Sequence, residues 1–169
     1  MRRQILPTLV ALCAISGTTL AFADNLEEGR WAVTAFGGMY LPNPGGIDDE
    51  AIYGIRGGYA LTDRWLISGS LGHSDIGPGQ QTQFDANVGY TFRPEKRLSL
   101  VVTGGMGAAF YKDLAADDSF TMNIGIGPAI GINDRLMIRI LNRYRWHEDR
   151  NDDNIDQEIT LGLVVKLGQ

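Results

Sequence analysis

The chain is short of cysteine, of histidine and of helical periodicity, and each shortage removes a class of function. Its one cysteine, Cys13, lies in an N-terminal apolar stretch. Once that stretch is removed, no disulfide and no thiol chemistry remain. The two histidines, His73 and His147, confine imidazole chemistry to two positions. Basic residues are also outnumbered: 15 Lys and Arg stand against 20 Asp and Glu, a formal net charge of −5. That balance offers no basic surface to nucleic acid. Long helical periods are scarce, whereas 22 glycines punctuate segments that alternate with period two, which favours an all-β chain.

The first residues form a basic n-region (Arg2, Arg3), an apolar stretch over 5–15 and the A-x-A site Ala21-Phe22-Ala23 before Asp24. This pattern predicts a secretory signal over 1–23, cleaved to leave a single domain, 24–169. The apolar stretch is too short and too poorly flanked to span a bilayer as a helix. Cys13 follows bulky Leu12 within it, which argues against a lipidated first residue. Loss of Arg2 and Arg3 takes the net charge to −7.

Eight alternating segments follow. In the first, 30–41, Trp31, Val33, Ala35, Gly37, Met39 and Leu41 share a face. The second, 51–61, sets Tyr53, Ile55, Gly57 and Tyr59 against Ile52, Gly54, Arg56 and Gly58. The third carries Trp65, Ile67, Gly69 and Leu71. In the fourth, Phe84, Ala86, Val88, Tyr90 and Phe92 oppose Asp85, Asn87, Gly89, Thr91 and Arg93. The fifth, 98–111, aligns Leu98, Leu100, Val102, Met106 and Phe110. The sixth aligns Phe120, Met122, Ile124, Ile126 and Ile130, with Pro128 weakening its middle because proline lacks a ladder donor. The last two, within 136–168, oppose Met137, Arg139, Leu141, Arg143, Arg145 and His147 to Leu136, Ile138, Ile140, Tyr144 and Trp146, then end in Ile159, Leu161, Leu163, Val165 and Leu167.

Connections alternate as well. Those at 62–63, 94–96 and 133–134 are tight, whereas those at 42–50, 75–82, 112–118 and 147–157 are long and polar. Even strand number, two-faced strands of about ten residues, and short turns opposite long loops predict an eight-stranded antiparallel up-and-down transmembrane β-barrel. The alternative is a soluble periplasmic barrel, a lipocalin-like binder with its apolar face inward. Aromatics near the strand ends (Trp31, Tyr59, Trp65, Phe84, Tyr90, Phe92, Phe110, Phe120, Tyr144, Trp146) suit the two girdles of a membrane barrel. The opposite face is small and polar and fits the narrow interior of eight strands. Arg56, Asp85, Arg139, Arg143, Arg145, Glu158 and Lys166 are therefore expected in the lumen, with Asp85 and Glu158 pairing with some of the arginines.

The segments Gly57-Gly58-Tyr59-Ala60-Leu61-Thr62-Asp63-Arg64-Trp65, Asn133-Asp134-Arg135-Leu136, Asn142-Arg143-Tyr144-Arg145 and Leu161-Gly162-Leu163-Val164-Val165-Lys166-Leu167-Gly168 resemble the small outer-membrane β-barrel family typified by the OmpA transmembrane domain, OmpX-like proteins included. The resemblance spans the whole of 24–169. It implies periplasmic turns, surface loops, a charged lumen, and contact with outer-membrane lipid and lipopolysaccharide. It also implies periplasmic chaperones and the barrel assembly machinery during biogenesis. A peptidoglycan-binding domain, and with it a cell-wall tether, is not expected, and Leu167-Gly168-Gln169 stand where such barrels usually end in an aromatic residue.

Catalysis has few candidates. His73, Ser74 and Asp75 have the residue types of a base, a nucleophile and an orienter, but neighbours on a strand point to opposite faces. His147 is followed by Glu148 and Asp149, without a serine two residues on, so the pattern of a lipid A deacylase is missing. An acyltransferase-like site would assemble residues from separate loop ends. Polar-rim histidines are the simpler reading. The acidic stretch 148–156 lacks the spacing of a calcium loop and reads as a solvated loop. The sequence thus predicts a monomeric, non-enzymatic outer-membrane barrel without cofactor or metal, acting through its loops. At most, a narrow ion path would cross its lumen.

Overall fold

The computed structural model describes residues 27–42, 50–76, 79–112, 118–148 and 155–168; the leader expected over 1–23 lies outside them. Eight strands, β1 (Trp31–Leu41), β2 (Glu50–Ala60), β3 (Trp65–Ile76), β4 (Gly79–Phe92), β5 (Leu98–Lys112), β6 (Ser119–Gly131), β7 (Leu136–His147) and β8 (Ile155–Leu167), form one closed barrel in sequence order. Every neighbouring pair is antiparallel. β8 returns to β1 from Trp31↔Leu167 to Leu41↔Gln157, so no edge is left open.

The alternation resolves outward for the apolar faces. Ile55, Val88, Met106, Ile124, Leu161 and Leu163 are exposed, whereas Arg56, Asp85, Arg139, Arg143, Arg145, Glu158 and Lys166 are buried. A water-soluble barrel would reverse this, so the lipocalin-like alternative fails on the direction of the side chains. At the short-turn end, Trp31 stacks near Tyr59 (5.0 Å), Trp65 near Tyr90 (4.9 Å) and Tyr90 near Phe92 (4.7 Å). At the other end, Phe84 meets Phe110 edge-on at 5.9 Å. Two aromatic belts result, as an interface between hydrocarbon and water favours.

The tight turns close on side-chain caps. Thr62 Oγ1 accepts from the backbone N–H groups of Arg64 (3.1 Å) and Trp65 (2.9 Å). Asn133 Oδ1 does the same for Arg135 and Leu136, both at 2.9 Å. Before Pro94, Arg93 takes a left-handed φ of 54°, and Lys96 N–H donates to its carbonyl at 3.1 Å. Pro128 stays within β6, paired with Leu100 of β5. Toward β7 the ladder skips Gly127 and Pro128 and resumes at Ala129↔Arg139 in the same register. The missing N–H costs one stretch of ladder and leaves the strand intact.

Three expectations need correction. The expected loop over 75–82 is mostly strand: β3 runs to Ile76, β4 starts at Gly79, and Ser74↔Gln81 and Asp75↔Gln80 are cross-strand pairs. Gln81 and Gln83 are buried, because a polar lumen gives alternating glutamines an inward face that a soluble sheet would not. Similarly, β8 begins at Ile155, so Asp156 belongs to the strand and is fully buried rather than solvated. Nor is the inner face uniformly polar. Ala32, Ala60, Val101, Ala129, Met137 and Val164 form an apolar plug beside the short turns.

Candidate functional site in the barrel lumen

Every second residue of β7 from Met137 to His147 points inward, which carries the plug, three arginines and a histidine up one side of the barrel. Their partners stand on the strand beside them, β8, and across the lumen on β4. Asp85 lies where β4 turns its polar face inward, 3.0 Å from Arg143 and 2.7 Å from Arg145. Arg145 donates through Nη1 and Nη2 to both carboxylate oxygens of Asp85, at 2.7 and 3.1 Å, and through Nε to Glu158 at 2.9 Å. Arg143 is also 3.4 Å from Glu158. Ser70 Oγ (3.1 Å) and Asn123 Nδ2 (3.3 Å) donate to Asp85, and Arg145 donates to Thr121 Oγ1 at 2.9 Å.

Two carboxylates thus bind two guanidiniums in a closed, charge-balanced quartet that ties β4 to β7 and β8. Planar forks that satisfy both oxygens of a carboxylate hold their geometry better than single-point contacts. The neighbouring strand β5 leaves room for it, with Gly107 the cross-strand partner of Asp85. A Cβ at Gly107 would sit 2.6 Å from Asp85 Oδ1 and would also collide with the carbonyl of Phe84.

Arg56 and Arg139 are as deeply buried as the quartet but stand apart from it. Arg56 lies over the Phe36 ring at 5.3 Å, and Phe36 itself requires Gly54, where a Cβ would sit 2.7 Å from the ring edge. Among the described residues, neither Arg56 nor Arg139 has a hydrogen-bond partner at Nε. Lys166 is buried near the plug.

A second constellation occupies the loop end. His147 Nδ1 is 3.0 Å from Ser119 Oγ and 3.3 Å from Tyr111 Oη, and its Nε2 is 2.7 Å from Asp156 Oδ2. The Nε2 contact is close but lies off the N–H axis, so it is an electrostatic contact rather than an aligned hydrogen bond. Tyr40 Oη donates to Asp156, Gln81 Nε2 donates to Tyr111 Oη at 3.1 Å, and Ser74 Oγ donates to Gln81 Oε1 at 3.4 Å. His147 is therefore buried in the lumen and not on a polar rim.

His73 faces outward, packs against Tyr53 at 5.6 Å, bonds Thr82 Oγ1 at 3.1 Å and lies 3.8 Å from Asp75. Ser74 faces the lumen. The barrel wall separates His73 from both Ser74 and His147. Sequence reasoning passed over Ser119, Asp156, Tyr40 and Tyr111. Phase alone would have placed Asp156 on the face of Glu158 two residues later, and Tyr40 opposite Met39. Among the described residues, no cluster of His, Cys, Asp and Glu forms a metal-binding group.

Comparison with known proteins agrees with this architecture. The family described as "Outer membrane protein beta-barrel domain" matches residues 9–166. The N-terminal β-barrel domain of Pseudomonas aeruginosa OprF superposes with a TM-score of 0.70 at 18% identity, covering 84% of this chain and 100% of that one. Neisserial surface protein A gives 0.68 at 14% identity, with 83% and 100% covered. Ail, the attachment invasion locus protein of Yersinia pestis, gives 0.58 at 16%, with 83% and 99% covered. At such identities these structures share the fold. Comparison with curated proteins found no match.

Proposed function

The chain belongs to the outer-membrane protein β-barrel family, and on that premise we propose that it is a monomeric, non-enzymatic barrel that works through its long-loop end. A cleaved leader exports it, periplasmic chaperones and the assembly machinery insert it, and lipopolysaccharide and phospholipid surround it. The observation that carries this reading is the filled lumen. The Asp85–Arg143–Arg145–Glu158 quartet crosses it, and the plug around Met137 and Val101 closes it toward the short turns. Function then falls to the loops, whose sequences are acidic at 48–50, 117–118 and 148–153. Divalent ions bridging those carboxylates to anionic headgroups suit that chemistry.

The Neisserial protein is named for the surface and Ail for attachment, which agrees with a surface role. Ail has been seen with the heparin analogue sucrose octasulfate, but the acidic loops of this chain disfavour a polyanionic partner. Purified barrel in planar bilayers is expected to give no stable conductance steps. An epitope inserted within 149–154 is expected to bind antibody on intact cells. Large ohmic steps, or an epitope reached only after lysis, would overturn the proposal.

One observation favours a second reading, a hydrolase acting on acyl esters such as those of lipid A. Ser119, His147 and Asp156 stand in the order nucleophile, base, orienter. A fluorophosphonate probe would label Ser119 in that case and fail on Ser119→Ala and His147→Ala. Absence of labelling in the native protein returns the trio to a structural role.

A further inference from the structure

We propose that the lumen holds a monatomic anion, of the chloride class, between Arg56 and Arg139. The first support is a cavity of about 10 Å³ lined by Thr34, Arg56, Leu66, Ser68, Arg139 and Val164. This is about the room of one water-sized particle, which excludes phosphate, sulfate and organic acids. Two guanidiniums and two hydroxyls offer it donors, while Leu66 and Val164 form apolar walls.

The second support is that both arginines are unmatched. They are 6% and 5% exposed, and Nε of each lacks a partner among the described residues. Neither forms an ion pair among the described residues, because Asp85 and Glu158 are engaged by Arg143 and Arg145, and Asp156 by His147 and Tyr40. A guanidinium cannot shed its proton to escape burial as a lysine can. The remaining routes to neutrality are a carboxylate or a bound anion.

The third support is the charge count. Among the described residues, the buried guanidiniums are Arg56, Arg139, Arg143 and Arg145, and the carboxylates within ion-pair distance of any of them are Asp85 and Glu158. Two positive charges among these guanidiniums are thus in excess inside a wall surrounded by hydrocarbon. Both unmatched guanidiniums line the same cavity, so one anion there would serve both. Water would satisfy the donors but leave the charge.

Bromide is the probe. Crystals of the intact barrel grown in sodium bromide are expected to show an anomalous peak in the lumen between the two guanidiniums. In detergent at matched ionic strength, unfolding midpoints should rise by several degrees from gluconate, which is too large to enter, to chloride. That difference should vanish in Arg139→Met or, if that variant does not fold, in Arg56→Met. A lumen without a bromide peak, or peaks confined to the outer surface, would overturn the proposal. A chloride effect that persists in the folded variant would do the same.

Discussion

Replacing Asp85 by Asn tests the lumen quartet with little change of shape. The amide keeps one oxygen, enough for one of the two donors Ser70 and Asn123, and removes the charge facing Arg143 at 3.0 Å and Arg145 at 2.7 Å. Breaking a buried pair by removing one partner typically costs about 3–5 kcal/mol, mostly for the charge left behind. Glu158 still reaches Arg145 at 2.9 Å and Arg143 at 3.4 Å, so the lower end, about 3 kcal/mol, is expected. With a urea slope of about 1–3 kcal/mol/M, the unfolding midpoint should fall by roughly 1–3 M. Tryptophan fluorescence and gel mobility, read on protein refolded in lipid vesicles, report that midpoint. Glu148→Gln, at an exposed position just beyond β7, is the control and should stay within about 0.5 kcal/mol. Combining Asp85→Asn with Arg145→Gln should cost less than the sum of the two single changes, since the partners are coupled. Equal midpoints for Asp85→Asn and Glu148→Gln would refute the argument that the quartet is a buried, mutually dependent unit.

Three further outcomes follow from the same geometry. Ile124, exposed in the middle of β6, faces hydrocarbon, so Ile124→Arg should destabilise the inserted barrel by about 2–4 kcal/mol in a vesicle titration; a neutral result would contradict the outward assignment of that face. Met137→Ala empties part of the plug and should cost about 2–5 kcal/mol, measured by the same unfolding curve. Gly107→Ala should displace Asp85, visible as a lowered midpoint that Asp85→Asn does not lower further; additive losses would separate the glycine from the quartet.

Strand number, strand order and the outward face were legible because a period of two survives in all eight segments. Runs such as Phe84 to Phe92 and Ile159 to Leu167 leave little freedom in phase. Loop boundaries were less legible. Gln80, Gln81 and Thr82 have loop composition, yet they are strand, with Gln81 turned into the polar interior and Gln80 exposed. Asp156 was hidden in an acidic run whose composition says solvent, although its phase with Glu158 says lumen.

The plug was misjudged for a different reason. Val101, Met137 and Val164 each look like an isolated exception on a polar face. They become a layer only when curvature brings β5, β7 and β8 to one level.

What the amino-acid order determined by itself is the two-faced strand and its count, since alternation is a local property of the chain. It also determined that several charges share the inner face. Which charge meets which belongs to the closed ring. Asp85 and Arg145 are 60 residues apart and touch only because closure folds β4 across from β7. Pairing of β6, β7 and β8 sets Ser119, His147 and Asp156 together, and among the described residues no carboxylate forms an ion pair with Arg56 or Arg139. Pairing across a lumen depends on shear and curvature, which no single strand encodes.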